Sequence, residues 1–256
     1  MEQNQYERQE IFNPAIDDND PFTRFKQKSG NLNFKTSWFT YISLIFIIVI
    51  YPILGSGFTE DPSSFLKNLN TGTRLILFIS TMILQWAVFL LLYISTYREN
   101  TFLKGLGFKK IRSVDFAWAF AFLLTSNAIL SGLAWLLAKI GLPMPGDIGL
   151  LVPQDIAGKI VWVAVALTAG ICEETTFRGY LITRLRLVGK FKSWVIPIIV
   201  SSLIFGACHA YQGFPGFIVI SVYGALFALL YIRTGSIWPV IIAHFFQDFS
   251  ALFFPH

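Results

Sequence analysis

Glu173, Glu174, Arg178, His209, His244 and Asp248 all stand within apolar stretches of this 256-residue chain. Charge in such surroundings is expensive, so each of these residues invites a chemical role. Glu174 and Arg178 are four residues apart. That spacing puts them on one face of a helix, where they can pair as ions and lower the cost of burying both. Glu173 is turned about 100° from Glu174 by helix geometry and has no cation at matching spacing on its own helix. A carboxylate so placed suits the work of a general base near neutral pH. His244 and Asp248 are again four apart, and a carboxylate beside an imidazole can hold its tautomer. His209 follows Phe205 by four residues in the small, apolar run SSLIFGACHA.

Each of these sets also has a plainer reading. Glu173 and Glu174 could be carboxylates at a helix end, solvated among basic residues such as Arg184 and Arg186. His209 could be a histidine that bonds a backbone carbonyl. His244 and Asp248 could be a self-satisfied pair joining two helices.

The chain is 54% hydrophobic and only 14% charged, against about 25% charged in ordinary soluble domains. Eleven of its 35 charged residues lie in the first 36 positions. The remainder therefore cannot cover a soluble globule, and the expected solvent is lipid. The predicted fold class is all-α, a polytopic helical membrane protein. Apolar runs of about 20 residues predict seven spanning helices, near 38–54, 75–94, 116–138, 157–186, 194–210, 217–232 and 236–254. An eighth would require a re-entrant segment in a loop. All the buried charges and histidines fall on the fourth, fifth and seventh helices, while the cores of the other four carry no charge.

Residues 1–36 read as a solvated polar tail and 37–256 as the transmembrane domain. No cleavable signal peptide is expected. The net charge of +5 does not indicate nucleic acid, because Lys and Arg cluster between apolar runs. Fifteen of them fall on one side of the predicted topology and four on the other. By the positive-inside rule this puts the N-terminus in the cytoplasm and the C-terminus outside, in the cell membrane. Cys172 and Cys208 lie in apolar segments and read as packing residues. No internal repeat of the kind common in transporters is evident.

Residues 172–179, Cys-Glu-Glu-Thr-Thr-Phe-Arg-Gly, resemble the EExxxR motif of the CPBP intramembrane proteases. That family includes the type-2 CAAX prenyl endopeptidase and bacterial Abi proteins. Phe205 to His209 resembles its FxxxH motif. His244 to Asp248 resembles its third motif, a histidine followed four residues later by Asn or Asp. The run 234–239, Thr-Gly-Ser-Ile-Trp-Pro, is similar as well, and the likeness covers about 110–256.

The resemblance implies that Glu173 and His209 activate water and that Glu174 and Arg178 form a structural ion pair. It implies that His244 and position 248 hold the oxyanion. The eukaryotic enzymes carry Asn where this chain has Asp248; an ionised carboxylate cannot donate to an oxyanion, whereas a protonated one can. An orienting role toward His244 is the alternative for Asp248. No cofactor is required on this reading. Zinc is the alternative, with Glu173, His209 and His244 as ligands and a position left for water, although HExxH is absent.

The expected function is therefore an intramembrane endopeptidase acting on a membrane-associated or lipidated peptide. Membrane lipid and that substrate are the expected partners. A non-catalytic immunity or partner-binding protein of the same fold is one alternative. A proton-coupled transporter is another, disfavoured by the lack of a repeat.

Overall fold

The computed structural model describes residues 36–55, 67–68, 70–191 and 193–253. The polar tail, His256 and Lys192 lie outside the described residues. Among the described residues, seven helices of 13 residues or more follow one another in sequence. They are α1 (Trp38–Gly55), α2 (Thr71–Arg98), α3 (Ser113–Lys139), α4 (Ile156–Val188), α5 (Val195–Ala207), α6 (Gly213–Thr234) and α7 (Trp238–Ser250). No strand occurs among the described residues. The chain is a helical integral membrane protein.

Helix starts are marked by side chains that accept the orphan amides of a first turn. Asn70 Oδ1 accepts from the Thr73 amide at 2.9 Å. Asp155 Oδ1 accepts from the Gly158 amide at 2.8 Å, fixing where α4 begins. Asp115 accepts from the Arg112 amide at 2.8 Å. Pro239 occupies the first turn of α7, where a missing N–H costs little.

α1, α2, α3, α4 and the α6 segment are long and apolar enough to cross a membrane. α5 and α7 have 13 residues each. At 1.5 Å per residue that is about 20 Å, short of the roughly 30 Å of a bilayer core. Of the seven predicted spans, five are thus helices long enough to cross a membrane, and those near 194–210 and 236–254 are shorter. Exposed apolar side chains cover α2 and α3, with Leu124 at 76% and Ile76 at 69%. Such a surface suits lipid rather than water.

α4 is the central element. It packs against α2 on one side and α7 on another, while α5 packs on α6 and α3 on both α6 and α7. Gly170 sets the α4–α7 spacing. A Cβ there would lie 3.0 Å from the Ile241 carbonyl oxygen and 3.3 Å from the Phe245 amide nitrogen. A small residue at this point allows the two backbones to approach. Just beyond, α4 changes from α to π geometry over Thr175–Leu181, a wide turn that often accompanies functional sites.

Candidate functional site

The Glu174–Arg178 pair forms as its spacing predicts. Arg178 Nη1 donates to Glu174 Oε1 at 2.8 Å, and both side chains are fully buried. Arg178 Nη2 also donates to the Gly224 carbonyl at 3.3 Å. Its guanidinium lies over the Phe205 ring, 4.2 Å from the centroid, and faces Phe227 at 5.0 Å. These faces are favourable places for a cation. Gly224 admits this arrangement, since a Cβ there would meet Phe205 at 3.2 Å and Arg178 Nη2 at 3.4 Å.

A second partner joins Glu174 from α7. His244 Nδ1 lies 2.7 Å from Glu174 Oε1. A carboxylate that already accepts from Arg178 can only accept again, so Nδ1 carries the hydrogen. Glu174 therefore holds this tautomer, and Asp248 faces the other nitrogen, with Oδ2 3.6 Å from Nε2. The His244 ring stacks on Phe227 at 5.5 Å.

Glu173 is buried as well. Its Oε2 has no hydrogen bond among the described residues and lies 3.9 Å from His244 Nε2. Its Oε1 accepts from Gln85 Nε2 of α2 at 2.7 Å. The solvated alternative for the two glutamates is excluded by this burial. Arg184 and Arg186, counted with the surface bases, are buried too. Arg184 donates to Glu99 Oε2 at 2.6 Å, and Arg186 lies over the Trp194 ring at 4.1 Å.

His209 lies just past the end of α5, entering a short 3-10 turn. Its Nδ1 is 2.9 Å from the Phe205 carbonyl. A carbonyl accepts, so Nδ1 carries the hydrogen and Nε2 keeps a free lone pair. The plainer reading of His209 and the functional one thus describe one geometry. The Phe205 ring contacts the His209 ring at 4.9 Å and the His244 ring at 6.4 Å. Phe205 therefore touches Arg178, His209 and His244 together. Asp248 is more accessible than the glutamates, Arg178 and His244, its side chain one-third exposed. Its carbonyl accepts from Trp162 Nε1 at 2.9 Å, which ties α7 back to α4.

The structure thus brings Glu173, Glu174, Arg178, His244 and Asp248 into one cluster and links His209 to it through Phe205. No hydrogen bond joins His209 to Glu173 among the described residues. Nor, among them, are three His, Cys, Asp or Glu gathered so as to hold a metal ion. As placed, Glu173, His209 and His244 do not fit a three-ligand zinc site. A groove of about 600 Å³ between α3 and α6, walled by Trp118, Phe122, Leu226 and Arg233, contains none of the cluster.

Charge-based reading of the sequence missed Gln85, because an amide carries no charge. The available signal was a lone amide within the long apolar run of α2. It also missed the Glu99–Arg184 pair. Glu99 receives hydrogen bonds from Thr40, Ser95, Tyr180 and Arg184 and so knits α1, α2 and α4 together.

Comparison with known families gives one finding. Residues 155–250 match the family described as type II CAAX prenyl endopeptidase Rce1-like. The segment runs from the start of α4 to the end of α7 and includes all three motifs. No curated protein and no solved structure matches the chain at a significant level.

Proposed function

From the match of residues 155–250 to the type II CAAX prenyl endopeptidase Rce1-like family model, we propose that this chain hydrolyses a peptide bond of a membrane-associated or lipid-modified substrate. Glu173 serves as the general base. The observation that carries this is its unpartnered Oε2, buried and turned toward His244 Nε2 at 3.9 Å. A buried carboxylate oxygen without a donor is a place for water.

Glu173 Oε2 takes a proton from that water, and the resulting hydroxide adds to the scissile carbonyl carbon. His209 Nε2, kept as an acceptor by the Phe205 carbonyl, orients the second water hydrogen. The negative oxygen of the tetrahedral intermediate faces His244. Its Nδ1–H is held by Glu174, so His244 presents Nε2–H when it is an imidazolium. Glu174 Oε1 lies 2.7 Å from its Nδ1 and Glu173 Oε2 3.9 Å from its Nε2. Asp248, in its protonated form, supplies a second donor to the oxyanion. The proton on Glu173 then passes to the leaving nitrogen as the C–N bond breaks, giving a carboxylic acid and a free amine. No step requires a metal.

The test uses purified protein in liposomes. One quenched fluorescent peptide carries a C-terminal prenyl cysteine motif, and another carries an apolar membrane anchor. Wild type cleaves at least one. Glu173→Gln folds and inserts but loses about 10²–10⁴-fold in rate. Wild-type turnover in the Gln variant, or cleavage of neither peptide by wild type, overturns the proposal.

A further inference from the structure

We propose that Gln85 on α2 is a positioning residue of this site, holding Glu173 so that Oε2 alone is presented to the nucleophilic water. The inference rests on the reading of Glu173 as the base. It extends the site to a helix that lies outside the matched segment 155–250.

α2 turns one face toward the interior, and Phe78, Gln85, Val88 and Leu92 of that face are buried. Gln85 is 4% exposed. An apolar side chain would fill this seam at less cost, because an amide taken from water needs partners to compensate for its desolvation. Gln85 finds its partner in Glu173, with Nε2 donating to Oε1 at 2.7 Å. The donating end of the amide is thus directed at the candidate base. A residue kept for packing does not explain this choice.

The bond has a definite consequence. A free glutamate can rotate its terminal torsion and exchange its two oxygens, since that torsion is broad. With Oε1 held from α2, the exchange is blocked. Oε2 remains as the acceptor, near His244 Nε2 at 3.9 Å. Donation from a neutral amide adds no charge to a cluster already dense with it, so Glu173 keeps its capacity to take a proton from water. A lysine in the same place would pair with Glu173 as an ion and compete with that role.

The experiment compares wild type, Gln85→Leu, Gln85→Met and Gln85→His in liposomes with the two quenched peptides. Leu and Met fill the seam without a donor. His restores one, because its Nε2 reaches about as far from the backbone as the glutamine amide nitrogen. Leu and Met lower kcat by about 10- to 100-fold, the scale of one hydrogen bond to a charged group. KM stays within about twofold, as expected for loss of a transition-state contribution. His recovers most of the lost rate.

A second readout needs no substrate. Dicyclohexylcarbodiimide adds to a buried carboxyl and rearranges to a stable N-acylurea, which mass spectrometry locates. Freed of Gln85, Glu173 is labelled faster in the Leu and Met variants than in wild type, and the His variant returns toward the wild-type rate. Wild-type kcat in folded Gln85→Leu or Gln85→Met overturns the inference. So does a loss that His fails to rescue and that follows folded yield. If Glu173→Gln keeps wild-type turnover, the assignment of Glu173 as base fails instead, and unchanged labelling across the Gln85 series then removes the positioning role independently.

Discussion

Glu174 Oε1 accepts hydrogen bonds from two helices at once, from Arg178 on its own helix at 2.8 Å and from His244 on α7 at 2.7 Å. One carboxylate oxygen thereby ties the ion pair of α4 to the imidazole that faces Glu173. Glu174 is structural in its bond to Arg178, and it also fixes which His244 nitrogen points into the site.

Breaking this network on either side should be costly. Glu174→Ala and Arg178→Ala each leave a buried charge without its partner, at about 3–5 kcal/mol. Thermal unfolding in detergent should show both variants well below wild type. A double change to Leu and Met should lose less than either single change. Wild-type stability in both single variants would sink the description of the pair.

Asp248 offers a sharper test of chemistry. If it donates as an acid to the oxyanion, Asp248→Asn keeps or raises kcat, because an amide donates without first taking up a proton. Asp248→Ala loses about 10²–10³-fold. Activity survives a chelator that enters the site. Were Glu173, His209 and His244 to hold zinc instead, chelation would abolish cleavage and added zinc would restore it. The Asn variant would then bind metal about 10- to 100-fold more weakly. Measuring zinc stoichiometry together with the variant rates decides between these.

Phe205 should matter beyond its bulk. Its ring touches the Arg178 guanidinium and the rings of His209 and His244. Phe205→Ala opens a cavity in a buried seam and should cost about 3–5 kcal/mol. Phe205→Leu keeps most of the volume, so its folded yield should stay near wild type while kcat falls. Equal kcat in Phe205→Leu and wild type would show that ring contact is not needed to place the histidines.

Topology can be read from Lys109, in the connection between α2 and α3. Partial burial of its ammonium, with Arg112 close by, brings its pKa down to about 8. Amines react with acylating reagents when neutral, so labelling should reach half its maximum near that pH. An ordinary lysine, near 10.4, reacts mainly in more alkaline solution. If the Lys and Arg distribution sets the orientation, this connection faces the cytoplasm. A membrane-impermeant reagent should therefore label Lys109 in inverted vesicles and not in intact cells. Labelling from outside the cell would reverse the assigned orientation.

Some of this protein could be read from its residues alone. Sparse charge and long apolar runs require a helical membrane protein, because lipid leaves backbone groups no partners except their own. The pairing of Glu174 with Arg178 follows from helix periodicity, since residues four apart share a face wherever the helix is put. The order of the three motifs carries the family resemblance. Contacts between helices were not legible in the same way. Periodicity says which residues share a face, but it does not say which neighbour that face meets or at what depth. Gly170 lets α7 close on α4, and that approach brings His244 Nδ1 to Glu174 while Nε2 faces Asp248. The rotation of α2 places Gln85 on Glu173 and Glu99 near Arg184. Arg184 looks like a surface base in the chain, yet it is a buried partner in the fold. A charge in the sequence does not reveal whether its counter-ion is water or a carboxylate some eighty residues away; only the packing of α2 on α4 decides that.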